Sequence, residues 1–287
     1  MKLAFIGGGN MAQALLAGLK NQQFTMSEIT VIELDISKHA SLQAQFGVDT
    51  TSDLADVIAV DTIVLAVKPQ QLPALAQSLV TRLRHQLVIS IAAGVRLQHL
   101  SAWLNQYPTI VRTMPNTPSQ IQEGITGLFA GSAVSKAQMA VAEQIMRAAG
   151  STVWVDSEEK LDAVTAISGS GPAYVFYLIE ALQAAAQSLN LTEAEAKQLS
   201  IATFKGASLL ADTSETPVAQ LRAQVTSKGG TTEQGLRSLE ESKVKEAIML
   251  AAKKAYARAK TLGDELGQTA SADKKLHKTA TVSRLTD

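Results

Sequence analysis

The stretch Lys2-Leu-Ala-Phe-Ile-Gly-Gly-Gly-Asn-Met-Ala-Gln-Ala-Leu-Leu-Ala-Gly-Leu19 decides the fold class of this chain. Its apolar start, Leu3–Ile6, predicts a short strand, and the glycines after it predict a tight turn. A helix is predicted next, because small or apolar residues follow the spacing of one buried stripe at Met11, Ala14, Leu15, Gly18 and Leu19. This order of strand, glycine turn and amphipathic helix is typical of the first unit of a nucleotide-binding α/β domain.

Short apolar runs and amphipathic stretches keep alternating through the first half of the chain. Thr30–Glu33, Asp61–Val67 and Leu87–Ile91 predict further strands. The continuous apolar character of the last two favours burial on both faces. Strand–helix alternation of this kind predicts a Rossmann-type, doubly wound parallel sheet over residues 1–157, and hence an α/β fold class.

The second half of the chain has a helical pattern only. Pro172–Leu189 is apolar almost all round, with Glu180 as its one charge. Such a helix must be covered on every side, which a small helical domain cannot do alone, so we expect a partner subunit. Further helices are predicted at Thr192–Ala211, Pro217–Gln224, Thr232–Glu241 and Lys243–Leu262. We therefore predict an all-α dimerisation and substrate domain over residues 158–266, and a polar, weakly ordered tail over residues 267–287.

Composition narrows the possible functions. The chain has 287 residues, 26 Lys+Arg against 26 Asp+Glu, and no cysteine. Balanced charge gives no reason to expect a nucleic-acid partner, and the absence of cysteine excludes disulfides, thiolate zinc sites and cysteine nucleophiles. The chain opens directly into a strand and lacks a long apolar segment, so we expect a cytoplasmic protein with no membrane partner. The four histidines, 39, 85, 99 and 277, lack metal-ligand spacing, and no metal is expected.

The turn after the first strand has the pattern G-x-G-x-x-A. Its first glycine permits the turn, its last lets the backbone approach a pyrophosphate, and the alanine allows close packing of helix and strand. The helix N-terminus then faces the anion. The predicted cofactor-binding residues here are Gly7, Gly8, Gly9, Asn10 and Met11. The alternative is a glycine turn in an α/β domain that binds no nucleotide.

An acid ends the second predicted strand, where it can accept hydrogen bonds from ribose hydroxyls. Glu33 in this place favours NADH and would repel the 2′-phosphate of NADPH, and Asp53 adds negative charge near the same edge. Lys38 is the one base that argues the other way. The alternative is that Glu33 merely faces solvent.

Three more loops are predicted at the carboxyl ends of strands, where sheets of this kind bind ligands. Two are rich in small residues and the third is stiffened by prolines, and plain turn chemistry is the alternative for each. Their predicted cofactor-binding residues are Ala66, Val67, Lys68, Pro69, Ala92, Ala93, Gly94 and Asn116. The amide of Asn116 is placed at the nicotinamide end.

Two segments of the helical half carry further information. In Ser168–Phe176, two serines suit helix capping and Pro172 suits a first helical turn. In Val225–Thr232, Gly229 and Gly230 precede a predicted helix whose capping box runs from Thr231 to Gln234. Bare N–H groups at a helix start can hold a carboxylate, whereas a structural helix start is the alternative.

Together these segments resemble the pyrroline-5-carboxylate reductase family. The resemblance spans about residues 1–265 and rests on Gly7–Ala12, Ala66–Pro69, Ser90–Gly94, Arg112–Pro118, Ser168–Phe176 and Val225–Thr232. Lys228 departs from it, since the family usually has proline there, and Glu33 is not typical of members that prefer NADPH. The resemblance implies a homodimer or an assembly of dimers. Each active site would join one subunit's cofactor domain to the partner's Val225–Thr232 loop.

The resemblance also implies the reaction, a hydride transfer from NADH or NADPH to the C=N bond of 1-pyrroline-5-carboxylate that gives L-proline. We expect the substrate carboxylate to bind the N–H groups of Gly229, Gly230 and Thr231, and the ring nitrogen to meet the Thr232 hydroxyl, the predicted catalytic group. A related cyclic imine is an alternative substrate.

Two alternatives come from other classes of protein. β-Hydroxyacid dehydrogenases carry a lysine and an asparagine at the positions where this chain has Val175 and Leu178. This chain therefore lacks the acid–base groups that carbonyl–alcohol chemistry needs. A nucleotide-sensing protein without enzymatic activity is disfavoured by the intact Gly229–Thr232 loop. An assay of NADH oxidation with the imine distinguishes these possibilities.

Overall fold

The computed structural model describes residues 1–282, with side chains described through Gly267. The chain forms two compact units: Met1–Ser170 together with the residues from Ala255 onward, and Gly171–Lys254. The first compact unit therefore extends past the boundary predicted at residue 158. It also includes the end of the last helix, from Ala255 onward.

The first unit is built on one eight-stranded sheet in the order β3-β2-β1-β4-β5-β6-β7-β8. The strands are β1 (Leu3–Ile6), β2 (Ile29–Ile32), β3 (Asp49–Thr51), β4 (Thr62–Leu65), β5 (Leu87–Ser90), β6 (Ile110–Met114), β7 (Gly124–Ala130) and β8 (Gly150–Trp154). Strands β1 to β6 are parallel, and β7 pairs antiparallel with β6. The predicted Rossmann-type class is confirmed, but the sheet is mixed at the β7–β8 end rather than wholly parallel.

Helices cover both faces of this sheet, and β1 shows how its residues are divided between them. Alternate residues of a strand point to opposite faces. Leu3 and Phe5 belong to a core with α1 (Asn10–Asn21), α2 (His39–Phe46) and α5 (Lys136–Arg147), whereas Ala4 and Ile6 belong to a core with α3 (Leu72–Leu79) and α4 (Leu97–Trp103). The first of these cores is closely packed: a Cβ on Gly18 of α1 would collide with the carbonyl oxygen of Ala148. Helix α6 (Glu158–Val164) follows β8.

The second unit consists of helices that leave most of their apolar side chains uncovered. They are α7 (Gly171–Ser188), α8 (Glu193–Thr213), α9 (Val218–Gln224), α10 (Thr231–Glu241) and the first part of α11 (Val244–Val282). Within this unit only Ala196 and Ser200 are buried. On α7, Phe176 is 64% exposed and Tyr177 is 72% exposed. The helix predicted to be apolar all round is therefore present, and its own unit does not cover it.

The last helix differs from the prediction. A helix was expected over Lys243–Leu262 and a weakly ordered tail over residues 267–287, but α11 continues to Val282. Residues 283–287 of the predicted tail lie outside the described residues. Among the described helices, none is both long enough and apolar enough to cross a membrane.

Candidate nucleotide and substrate sites

The carboxyl ends of the central strands lie side by side at one edge of the sheet. Ile6 of β1 pairs with Leu65 of β4, which pairs with Ser90 of β5. The strand order reverses between β1 and β4, so the crevice above them is where a sheet of this type binds its ligand. The loops after β1 and β4 touch there, because a Cβ on Gly7 would lie 2.8 Å from the carbonyl oxygen of Ala66.

The glycine loop leaves open space at the start of α1. Gly7 has a φ of +102°, which favours glycine, and its N–H donates to the carbonyl of Ile32 at 2.8 Å. Gly9 caps α1 without a side-chain hydrogen bond, and a Cβ built there would find no heavy atom within 4 Å. No acid lies in the first turn of α1 itself, where it would compete with a bound anion for the positive helix N-terminus. Asn10 is exposed and Met11 is half-buried.

Gln13, in the first part of α1, is a residue that the sequence motifs did not single out. Its side-chain amide donates to the carbonyl of Gly8 at 2.8 Å, which ties the loop to α1. The observed loop fits a pyrophosphate: it offers open space above Gly9 and a helix N-terminus whose first N–H groups have no acceptor inside the helix.

Glu33 is turned toward the glycine loop and does not face solvent, so the solvent-facing alternative is wrong. Its carboxylate accepts the N–H of Gly8 at 2.9 Å and the N–H of Asp35 at 3.0 Å, and its side chain is 13% exposed. Burial by itself would raise the pKa of Glu33, but these two N–H groups and the charge of Lys38 outweigh it and lower the pKa. The group is therefore an anion beside the loop at neutral pH.

Lys38, the one base that argued for NADPH, is held between two acids. Its Nζ lies 3.7 Å from Glu33 Oε2 and 3.7 Å from Asp35 Oδ2. Two carboxylates and one ammonium leave a net negative charge at the end of β2. Asp53 is exposed near the same edge, and its carboxylate accepts the N–H of Ala55 at 2.8 Å, capping a 3₁₀ turn.

The other two predicted loops differ in how accessible they are. After β4, Ala66, Val67 and Pro69 are half-buried and Lys68 is exposed. After β5, Ala92 is buried and Ala93 is half-buried. Gly94 has a φ of +74° and is covered by the end of α11, since a Cβ there would lie 3.1 Å from Leu262. This side of Gly94 is thus closed to a ligand.

The side-chain amide of Asn116, predicted to lie at the nicotinamide end, makes two hydrogen bonds inside the protein. Its Nδ2 donates to the carbonyl of Ser168 at 3.1 Å, and its Oδ1 accepts the N–H of Ile125 at 2.9 Å. The side chain is buried and ties the loop after β6 to the π-helical turn Thr165–Gly169. Ser168 is also not a cap for α7, because its hydroxyl donates to the carbonyl of Val164 within that turn.

Arg112 forms a buried ion network that the sequence did not predict. It lies on β6 with its side chain 3% exposed, 2.8 Å from Glu158 Oε1 and 3.3 Å from Asp162 Oδ1. Glu158 also accepts the N–H of Leu97 at 2.6 Å. The network fixes α6 against β6 and the start of α4. The available signal was an arginine inside a run that is otherwise apolar or β-branched.

In the second unit, the Gly229–Thr232 loop turns into α10 one residue earlier than predicted. Gly230 is the N-cap and makes no side-chain cap, so the capping box from Thr231 to Gln234 is wrong and Thr231 is the first helical residue. The N–H of Gly229 donates to Glu233 Oε2 at 2.7 Å, and the N–H of Gly230 donates to the carbonyl of Ser227 at 3.0 Å. Thr231 and Thr232 are exposed.

Among the described residues there is no group of three His, Asp or Glu side chains that could hold a metal ion. The fold of the first unit and the crevice at its strand ends are those of a Rossmann-type dinucleotide-binding protein, and the second unit is helical.

Comparison with known proteins narrows this class. Residues 2–94 match the family described as NADP oxidoreductase, coenzyme F420-dependent, and residues 158–262 match pyrroline-5-carboxylate reductase dimerisation. The reductase of Pseudomonas aeruginosa is 40% identical over 269 residues, which are 93% of this chain and 98% of that protein. The reductase of Synechocystis is 40% identical over 92% of this chain and 98% of its own length.

Solved structures agree with the sequence comparison. The pyrroline-5-carboxylate reductase of Coxiella burnetii has a TM-score of 0.88 and 43% identity, covering 91% of this chain and 98% of its own. That of Plasmodium falciparum, solved with NADP bound, has a TM-score of 0.81 and 30% identity, covering 92% and 98%. The chain belongs to the pyrroline-5-carboxylate reductase family, as the sequence motifs predicted, and it is an oxidoreductase that uses a nicotinamide dinucleotide.

Proposed function

We propose that this chain reduces the C=N bond of 1-pyrroline-5-carboxylate to give L-proline, the last step of proline biosynthesis. The observation that carries this proposal is the family membership, which extends over nearly the full length of relatives named for that reaction. When bound, NADH or NADPH supplies the hydride. The chain's own task is to bind and orient the reactants, because a protonated cyclic imine accepts hydride directly.

The glycine loop and α1 hold the pyrophosphate in this proposal. The open position at Gly9 and the absence of acid in the first turn of α1 support it. Asn10 and Met11 lie at the start of the same helix, and Ala66, Val67, Lys68, Pro69, Ala92 and Ala93 line the neighbouring strand ends. Gly94 is covered by Leu262 on its Cβ side and the Asn116 amide donates to Ser168, so we assign neither a direct hydrogen bond to the cofactor.

We further infer that NADH is used at least as well as NADPH. The net negative charge of Glu33, Asp35 and Lys38 supports this, because a 2′-phosphate would bring more negative charge to the same place. The relative from Plasmodium falciparum was solved with NADP bound, so that member of the family binds the phosphorylated cofactor. The acid at the end of β2 is therefore the feature that would set this chain's preference.

Fewer N–H groups are free to bind the substrate carboxylate than the sequence suggested. Since the N–H groups of Gly229 and Gly230 are already bonded, we assign the carboxylate to Thr231 and Thr232, the first two residues of α10. N–H groups at these positions have no acceptor inside their helix. The Thr232 hydroxyl then meets the ring nitrogen, and the exposed Lys228 adds positive charge near an anionic substrate.

A homodimer, or an assembly of dimers, completes the proposal. The family segment over residues 158–262 is described as a dimerisation region, and its helices leave large apolar side chains exposed. Covering such surface is the main driving force for stable association.

Steady-state kinetics test the proposed function. Purified protein is assayed for NADH and NADPH oxidation with 1-pyrroline-5-carboxylate and with its six-membered homologue, and for NAD⁺ and NADP⁺ reduction with a β-hydroxyacid. The proposal requires turnover with the five-membered imine and a kcat/KM highest for it. Nucleotide binding without turnover would favour the nucleotide-sensing alternative, and turnover of the β-hydroxyacid alone would favour the dehydrogenase class.

A further inference from the structure

Glu233 makes an unusual contact at the start of α10. In a capping box the acid three residues into a helix reaches back to the N-cap N–H. Here the N-cap is Gly230, yet Glu233 reaches one residue further and accepts the N–H of Gly229 at 2.7 Å. The glutamate is half-buried, whereas Thr231 and Thr232 beside it are exposed.

The bond holds a turn that has few other constraints. Gly229 has a φ of +72°, and a Cβ there would have no heavy atom within 4 Å, so open space lies on that side of the residue. Gly230 is fixed more firmly, because its N–H donates to Ser227 and a Cβ there would lie 3.1 Å from the Ser227 carbonyl oxygen. The Glu233 carboxylate is thus the side-chain partner that fixes the left-handed residue.

Fixing Gly229 decides which N–H groups are left for a ligand. With Gly229 bonded to Glu233 and Gly230 bonded to Ser227, the free donors of the loop are the first N–H groups of α10. If the turn opened, Gly229 and Gly230 would sample many conformations, and binding would have to order them again.

Side chains of both charges line the surface beside Glu233. A cavity of about 430 Å³ between α9 and α10 is lined by Glu233 and Glu240 together with Arg222 and Arg237. The wall therefore carries both signs, which reduces the repulsion that a lone acid would exert on an anionic substrate.

We propose that Glu233 is a positioning residue for the imine substrate: it locks the Gly229 turn so that the Thr231 and Thr232 donors stay preformed. This inference rests on the proposed function, which assigns the substrate carboxylate to those donors. Glu233 touches neither substrate nor cofactor and acts through Gly229. Its hydrogen bond is the property that matters, so a neutral acceptor should replace it.

The test compares Glu233→Ala, Glu233→Gln and Glu240→Ala. Glutamine keeps an acceptor oxygen, and Glu240 is a matched control on the same helix and cavity whose side chain makes no hydrogen bond or ion pair within the described residues. We expect Glu233→Ala to raise the imine KM about tenfold, the effect of losing one hydrogen bond to a charged group. Its kcat and cofactor KM should change less than twofold, and Glu233→Gln and Glu240→Ala should stay within threefold of wild type.

Hydrogen exchange of the loop gives a second readout that does not depend on turnover. Exchange at the Gly229 amide in the unliganded protein should accelerate in Glu233→Ala and stay slow in the other two variants. An unchanged imine KM in Glu233→Ala, an equal loss in Glu233→Gln, or unchanged exchange at Gly229 would each overturn the proposal. Thr232→Ala separates this from the proposed function: unchanged turnover there would remove Thr232 from the mechanism and leave the Gly229 exchange result standing.

Discussion

Glu33→Gln tests how this chain chooses between its two cofactors. Glutamine keeps an oxygen that can accept the N–H of Gly8 or Asp35, so the loop is disturbed less than by a small residue. What the change removes is one negative charge from a group of two acids and one lysine. The substitution leaves that group neutral.

The size of the effect follows from Coulomb's law. Unit charges about 4 Å apart repel by about 4 kcal/mol at an effective dielectric of 20. Lys38, 3.7 Å from Glu33, offsets part of this, and salt screens more. If about a third of this repulsion remains, removing it changes the free-energy preference between NADH and NADPH by ~1.4 kcal/mol. That corresponds to about tenfold in relative kcat/KM. We therefore expect the NADPH/NADH ratio of kcat/KM to rise about tenfold in Glu33→Gln.

The assay measures kcat/KM for both cofactors at fixed imine and ionic strength. Asp53→Asn is the matched control: it removes a charge at the same edge from a carboxylate that caps its own 3₁₀ turn, and the ratio should rise less than threefold. A wild-type preference for NADPH of tenfold or more, or an unmoved ratio in Glu33→Gln, would refute the reasoning.

The remaining predictions concern catalysis, assembly and stability. Thr232→Ala should lower kcat about tenfold to a hundredfold and leave the cofactor KM unchanged, because it removes one hydrogen bond of ~1.5–3 kcal/mol to the imine. An unchanged kcat would contradict this prediction. Light scattering should give at least twice the 30.4 kDa chain mass, and a stable monomer would contradict the dimer. Arg112→Met removes the ion-pair partner of the buried Asp162, so the free energy of unfolding measured in urea should fall by ~3 kcal/mol. A loss below about 1 kcal/mol would refute this. Asn116→Asp replaces the N–H donor with a second acceptor facing the Ser168 carbonyl, so the free energy of unfolding should fall by ~2 kcal/mol in the same assay. Wild-type stability of this variant would show that the bond is dispensable.

The sequence predicted the elements whose side chains follow one clear pattern. Strand β1 and the stripe of α1 have regular apolar spacing, and both occur close to where they were expected. The bounds of β6 were not predicted, because the buried Arg112 and Thr113 interrupt its apolar run, and β7 was missed because it contains two glycines. Their burial depends on partners distant in the chain, which a local pattern cannot supply.

The candidate site shows the same limit. Motif spacing identified the glycine loop and Glu33, and the structure brings them together through the Gly8–Glu33 hydrogen bond. What the spacing did not give is how polar groups are already paired: the Asn116 amide is used internally, and Glu233 takes the Gly229 N–H. Side-chain direction decides such pairings, and it depends on the folded backbone.

Isotope transfer tests the central claim most directly. NADH carrying deuterium at the transferred position of C4 is incubated with the wild-type protein and 1-pyrroline-5-carboxylate, and the product is analysed by mass spectrometry. The account predicts L-proline with one deuterium on the former imine carbon, formed in equal amount to the NADH consumed. Proline without the label, or consumption of NADH without proline, would contradict it.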